Sequence, residues 1–279
     1  MLAKAAGLGA DEIVIDLEDS VPAAAKAQAR ELTCRVLREG RPSRGLVAVR
    51  VNALGTPWCR DDIAALAALP EAALDTLVVP KLERAQDVLE IEKLLDERGA
   101  VMGVQALIET AAGLLRVGEI ASASPRLEGL ILGYADMSAS LGRPGPGEVG
   151  ERWLYAQEAV LVAARAFGLQ ALDGPYLAIA DEDGLQRWAE HVQGLGYDGK
   201  WAVHPSQLEA INRAFSPGDD ELEWAQAVLA ALAEGEAEAG GGRGAVSLDG
   251  EMIDDAHRKL AEQVVARSRA GLVAESVDR

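Results

Sequence analysis

Two carboxylates stand where packing alone gives them no reason to be. Glu109 closes the apolar run Val101-Met102-Gly103-Val104-Gln105-Ala106-Leu107-Ile108, and Asp136 closes Leu130-Ile131-Leu132-Gly133-Tyr134-Ala135. Runs of this kind read as strands buried on both faces, as in parallel sheets covered by helices. An unpaired carboxylate is expensive to bury, so a pair delivered to the same end of neighbouring strands suits a hard cation. Mg²⁺ takes one or two protein carboxylates and fills its other positions with water and substrate oxygens. Each acid also has a plainer reading: Glu109 as a first-turn acid of the following helix, and Asp136 as an N-cap ahead of Met137-Ser138-Ala139-Ser140.

Arg50 lies inside the apolar stretch Leu46-Val47-Ala48-Val49-Arg50-Val51-Asn52, where a guanidinium must be paired. Its planar fork suits a carboxylate or a developing enolate oxygen; it can also bridge Asp16 or Glu18. Asp16, Glu18 and Asp19 form a dense acidic cluster, one member of which orients Arg50 or a metal-bound water while another caps the next helix. Lys81 offers a Schiff-base amine or electrostatic support, and the carboxylate pair, which Schiff-base chemistry does not need, favours support. His204, in His204-Pro205-Ser206-Gln207, is a general base or a brace for a helix start, the second being preferred. Arg143, among glycines and prolines, either contacts an anionic substrate or sits in a solvent-exposed loop.

The elements that must position these groups alternate strand and helix. Strands are expected at Glu12 to Asp19, Leu46 to Asn52, Thr76 to Lys81, Val101 to Thr110, Leu130 to Asp136, Ala171 to Asp173 and Lys200 to Pro205. Helices are expected at Ala3 to Leu8, Ala23 to Glu39, Asp61 to Leu69, Ala85 to Arg98, Ala112 to Ser122, Arg152 to Phe167, Asp181 to Leu195, Pro205 to Ala214 and Asp219 to Ala233. Alternation implies parallel strands joined by crossover helices. Polar residues gather at strand ends, where a (β/α)8 barrel keeps its active site, and no G-x-G-x-x-G opens a helix as a doubly wound sheet would have it. The expected fold is therefore α/β, a (β/α)8 TIM barrel over 1–233 whose first strand, ahead of Ala3, is missing. A glycine-rich linker (234–244) leads to a C-terminal arm (245–279), with a hairpin turning at Asp249-Gly250 and an amphipathic helix from Asp255 to about Arg267.

With 279 residues, 49% hydrophobic and 26% charged, the chain can build a sizeable core. A net charge of -18 argues against nucleic acid as a partner. No apolar run reaches the roughly 18 residues of a membrane span, and Met1 to Ala6 lacks the features of a signal peptide, so a cytoplasmic location and no membrane partner are expected. Cys34 and Cys59 are expected as free thiols.

The motifs in order, Asp16-Leu17-Glu18-Asp19-Ser20-Val21, Val49-Arg50-Val51-Asn52, Val79-Pro80-Lys81, Leu107-Ile108-Glu109-Thr110, Gly133-Tyr134-Ala135-Asp136, Ala171-Leu172-Asp173-Gly174, Gly199-Lys200 and His204-Pro205-Ser206-Gln207, resemble the HpcH/HpaI aldolase superfamily, in particular its citrate lyase β-subunit and malyl-CoA lyase group. The resemblance implies Mg²⁺ on Glu109 and Asp136. It also implies a small keto or hydroxy acid, free or as a CoA thioester, held by Arg50, Glu18, Lys81, Ala135 and Asp136. Reversible aldol-type cleavage through an enolate follows, with Arg50, Asp19 and Asp254 as catalytic groups. Asp254, in Gly250-Glu251-Met252-Ile253-Asp254, matches an acid of the arm that relatives use in a neighbouring subunit's site, within a homotrimer or hexamer. The alternatives on this scaffold are a CoA-thioester hydrolase, a malate-synthase-like enzyme and a non-catalytic paralogue. Two departures stand out: the chain starts after the family's opening aromatic–Pro–Gly turn, and Tyr134-Ala135 precedes Asp136 where relatives often carry another acid.

Overall fold

A computed structural model describes residues 7–145, 150–238 and 244–277. The chain forms two compact units, Met1–Ile211 and Asn212–Arg279. In the first, β1 (Glu12–Asp16), α1 (Lys26–Glu39), β2 (Leu46–Arg50), α2 (Cys59–Ala67), β3 (Thr76–Val79), α3 (Ala85–Asp96) and β4 (Gly103–Ile108) follow one another. Then come α4 (Ala111–Leu115), α5 (Val117–Ala121), β5 (Leu127–Leu132), α6 (Tyr134–Ser140), α7 (Glu151–Ala166), β6 (Gln170–Asp173), α8 (Glu182–Leu195), β7 (Gly199–Lys200) and α9 (Leu208–Phe215), the helix in which the unit ends.

The seven strands pair in sequence order, β1 through β7, and every pair is parallel. Period-two alternation puts every second residue of a strand on the inner face. Ala48, Val78, Leu107 and Ile131 form a buried cluster there, joined by Val14, Leu172 and Trp201. Side chains from β1 to the end of β7 share one core only if the sheet curls, as in a barrel interior. At its N-terminal end the curl brings β1 against β4, where Gln105 Nε2 donates to both carboxylate oxygens of Glu12 at 2.9 and 3.1 Å. The fold is thus a curled parallel α/β sheet of the TIM-barrel type.

Three expectations need correction. The strand expected to run to Asp136 stops at Leu132, and Asp136 lies in the first turn of α6. The helix expected over Ala112 to Ser122 is two short helices meeting at Arg116, which leaves helical geometry with φ -115 and ψ 20. The last strand ends at Lys200 rather than Pro205. Trp201 turns its ring into the core, and His204 begins a 3-10 turn over Pro205–Gln207. Of the helix expected over Ala3 to Leu8, residues 3–6 lie outside the described residues, and Gly7 and Leu8 form a turn and a bend.

In the second unit α10 (Asp219–Glu238) is followed by the hairpin β8 (Val246–Leu248) and β9 (Glu251–Ile253), then α11 (Asp255–Val277). α10 runs past Ala233 into the expected linker; 239–243 lie outside the described residues. Ala225, Val228, Leu232, Ile253, Ala261 and Val264 make the core of this unit. Asp249 and Gly250, at φ 51 and 87, both take the left-handed conformation a two-residue hairpin turn requires. No helix among the described residues is long and apolar enough to cross a membrane.

Candidate active site

The C-terminal ends of β1 to β5 converge on a charged rim. Its hub on β1 is Asp16, whose two oxygens take Arg50 Nε and Nη2 at 2.8 and 2.7 Å. The same carboxylate accepts from the backbone N–H of Glu18 at 2.8 Å and of Ser20 at 3.0 Å, so the turn after β1 is folded around it. Lys26, buried at the start of α1, pins that turn from behind by donating to the carbonyls of Leu17 and Glu18 at 2.8 and 2.7 Å. Arg50 reaches Glu18 Oε2 at 3.1 Å and Asp19 at 3.9 Å, and its guanidinium lies 6.0 Å from the centroid of the Trp201 ring. Burial opposes both charges of the Asp16–Arg50 pair, yet the fork wins: Asp16 is lowered to about 2 and Arg50 is held above its ordinary range.

Lys81 follows Pro80 with φ 56, a left-handed conformation rare for a side chain with a Cβ and a recognised form of strain at functional sites. Its ammonium is 2.6 Å from Glu18 Oε1, 3.4 Å from Asp136 Oδ2 and 3.7 Å from Glu109 Oε1, and its backbone N–H donates to Glu109 at 3.2 Å. Burial pulls against its charge, but the Glu18 hydrogen bond and the carboxylates of Glu109 and Asp136 raise it.

Glu109 leaves β4 one residue before Thr110, the N-cap of α4, whose side chain accepts from Gly113 N; it is not a first-turn acid. Asp136 is likewise no cap, since Gly133 holds that position for α6. Glu109 is 3% exposed. Burial pushes its carboxyl up to about 8, with Asp136 and Glu18 adding to the effect and Lys81 opposing it. Its position depends on Gly133: a Cβ there would lie 2.7 Å from both Cβ and Oε2 of Glu109.

The rim therefore gathers hard oxygen donors around two cations, the Lys81 ammonium and the Arg50 guanidinium. No group of three or more His, Cys, Asp or Glu placed to hold a metal occurs among the described residues. Glu109 and Asp136 both lie within 4 Å of the Lys81 ammonium, and a pair of carboxylates is the donor set Mg²⁺ takes, with water or substrate for the rest.

Other expected residues are sorted by the same geometry. Asp19 reaches the rim but is exposed. Ala135 is exposed on the first turn of α6. His204 accepts from Ser206 N at 3.2 Å as the cap of its 3-10 turn, a brace. Arg143 lies over the Trp153 ring at 4.5 Å and donates to the Arg152 carbonyl. Cys34 and Cys59 are free and buried. In the second unit Asp254 accepts from Ala256 N at 3.0 Å and pairs with His257 Nδ1 at 2.8 Å, and His257 holds its carboxyl below the ordinary value. Lys26 is legible only in the structure, because a lysine in a surface-type helix carries no distinguishing pattern, and Tyr134 stands out in the sequence only as a departure before Asp136, with no sign of its buried hydroxyl contacts.

Residues 1–205 match the family model HpcH/HpaI aldolase/citrate lyase. The chain is similar to a (3S)-malyl-CoA thioesterase of Cereibacter sphaeroides, 38% identical over 270 residues that cover 96% of this chain and 90% of that one. It is also similar to an L-malyl-CoA/beta-methylmalyl-CoA lyase of the same organism, 34% identical and covering 95% and 89%. Among solved structures, CitE from Mycobacterium tuberculosis in complex with magnesium, acetoacetate and coenzyme A superposes with a TM-score of 0.74 at 34% identity, over 94% of this chain and 91% of that one. The chain belongs to the HpcH/HpaI aldolase/citrate lyase family.

Proposed function

We propose that the chain is a Mg²⁺-dependent carbon–carbon lyase acting on a small hydroxy-acyl-CoA thioester of the malyl type. The observation that carries this is the gathering of Glu109, Asp136 and Glu18 about one ammonium beside the Arg50 fork. Glu109 and Asp136 are the proposed ligands, and a bound Mg²⁺ supplies a Lewis acid for substrate oxygens. Arg50 and Lys81 place fixed positive charge opposite an oxygen that gains negative charge during reaction. In cleavage the substrate hydroxyl loses its proton and the carbon–carbon bonding pair moves into the thioester as an enolate. The oxo acid departs and the enolate carbon takes up a proton. Asp19 and Asp254 are the proposed proton carriers, and Glu18, Lys81, Ala135 and Asp136 the proposed substrate contacts. Homotrimeric or hexameric assembly of the 29.3 kDa chain is part of the same reading, tested by light scattering.

A second reading, hydrolysis of the same thioester, is favoured by the 38% identity to a malyl-CoA thioesterase. The two separate by products: (3S)-malyl-CoA with Mg²⁺ yields acetyl-CoA and glyoxylate by the lyase route, but malate and free CoA thiol by hydrolysis. Acetyl-CoA and glyoxylate support the first reading, malate and thiol replace it with the second, and unconsumed malyl-CoA overturns both.

A further inference from the structure

Behind the acidic rim, between the sheet and its covering helices, lies a second charged assembly that the proposed chemistry does not use. Asp173 and Lys200, register partners on β6 and β7, are an ion pair whose side chains are both 0% exposed. Lys200 Nζ also donates to the Gly174 carbonyl at 2.5 Å and lies 5.4 Å from the centroid of the Trp188 ring. Asp173 Oδ2 accepts from Trp188 Nε1 at 3.0 Å. Its Oδ1 accepts from the Tyr134 hydroxyl, which in turn accepts from Gln157 Nε2 at 3.0 Å. A buried ion pair rarely outperforms an apolar replacement in stability, and its best-attested use is to specify a geometry.

Tyr134 is what this assembly specifies. It opens α6 immediately after the N-cap Gly133, and Asp136 lies in the same first turn. Its ring is held edge-on by Trp153 and Trp188, each 5.0 Å between centroids, and its carbonyl accepts from Ser138 Oγ at 2.7 Å. On the rim side, Gly133 packs against Glu109 so closely that a Cβ would meet it at 2.7 Å. Asp136, by contrast, is 37% exposed at its side chain and pairs with Lys81 at 3.4 Å, so its place is set by the backbone that carries it.

We propose that the Tyr134–Asp173–Lys200 array is a positioning device: a hydroxyl anchored in a fully buried ion pair fixes the first turn of α6, and with it the Asp136 carboxylate relative to Glu109. The inference rests on the reading of Glu109 and Asp136 as metal ligands.

Tyr134→Phe removes one oxygen and leaves the ring between its tryptophans. Calorimetric titration of Mg²⁺ into the full chain is expected to show Kd raised roughly tenfold, the scale of lost outer-shell support. Turnover should recover at saturating Mg²⁺, and metal-free amide exchange across 134–140 should quicken. Tyr197→Phe is the control: it deletes a hydroxyl of the same helix–sheet layer, bonded to the Gln157 carbonyl at 2.9 Å, and should lower Tm without moving the Mg²⁺ Kd. If Tyr134→Phe fails to fold, Gln157→Met, which removes the donor to the Tyr134 hydroxyl, should give a smaller rise in the same direction. Wild-type Kd and exchange in the Tyr134 variant, or equal Kd shifts in both tyrosine variants, overturn this inference alone. A wild type that takes up no Mg²⁺ overturns the ligand reading as well.

Discussion

Glu109 is the residue most at odds with its surroundings, a carboxyl 3% exposed at the inner edge of the charged rim and pushed up to about 8, chiefly by burial. A group whose folded value lies above its ordinary 4.5 favours the protonated form. Its contribution to stability is thus fully present below about pH 4.5 and is lost as pH rises through about 8. Without metal, Glu109→Gln should melt on the order of 5 °C above wild type at pH 9 and level with it at pH 4, as read by differential scanning calorimetry. Asp16 runs the other way. Its value of about 2 against an ordinary 3.8 gives stability present above about pH 3.8 and lost as pH falls through 2. Asp16→Asn should therefore cost on the order of 2 kcal/mol at pH 7 and flatten the acid limb of the unfolding profile; an unchanged acid limb would show that Arg50 is held by Glu18 instead. The acids themselves were legible in the sequence as clustered charges. Their division of labour was not, because which one receives a guanidinium depends on angles that spacing does not encode.

At the scale of elements, the junction of β5 and α6 does the most for the site. Gly133→Ala would drive a methyl into Glu109, 2.7 Å away, and overpacking of this kind costs about 1–3 kcal/mol. The expected outcome is a folded protein with lowered Tm and weakened Mg²⁺ binding; wild-type Mg²⁺ affinity would mean that Glu109 finds room elsewhere. This junction was also the least legible part of the chain. Leu130-Ile131-Leu132-Gly133-Tyr134-Ala135 is apolar throughout, and periodicity cannot mark where a strand buried on both faces becomes a buried helix turn. The strands themselves could be read with small errors at their ends, as with Thr76–Val79 and Gly103–Ile108, because Val, Ile and Leu runs bounded by polar residues have few other uses. The break at Arg116 falls between Gly113 and Gly118, and isolated glycines inside a helical pattern are tolerated too often to mark a break.

For the whole molecule, strand–helix alternation settled the parallel sheet, and the polar residues at strand ends settled which face carries the rim. The sequence also carried the hairpin of the second unit, since Asp249-Gly250 supplies both positive-φ residues. It did not carry the extent of α10, which continues to Glu238 through a Glu/Ala stretch that composition reads as a linker although both residues are good helix formers. Nor did it reveal the Asp173–Lys200 pair, formed by residues 27 apart in the chain and brought together only by sheet register. The account as a whole rests on one claim, that Glu109 and Asp136 hold a divalent cation together with a substrate oxygen. Its most direct test is calorimetric titration of Mg²⁺ into wild type, Glu109→Gln and Asp136→Asn, with and without oxaloacetate. The account predicts Mg²⁺ binding by wild type that tightens with the keto acid and is lost in both variants. Binding that survives either substitution, or that ignores the keto acid, would contradict it.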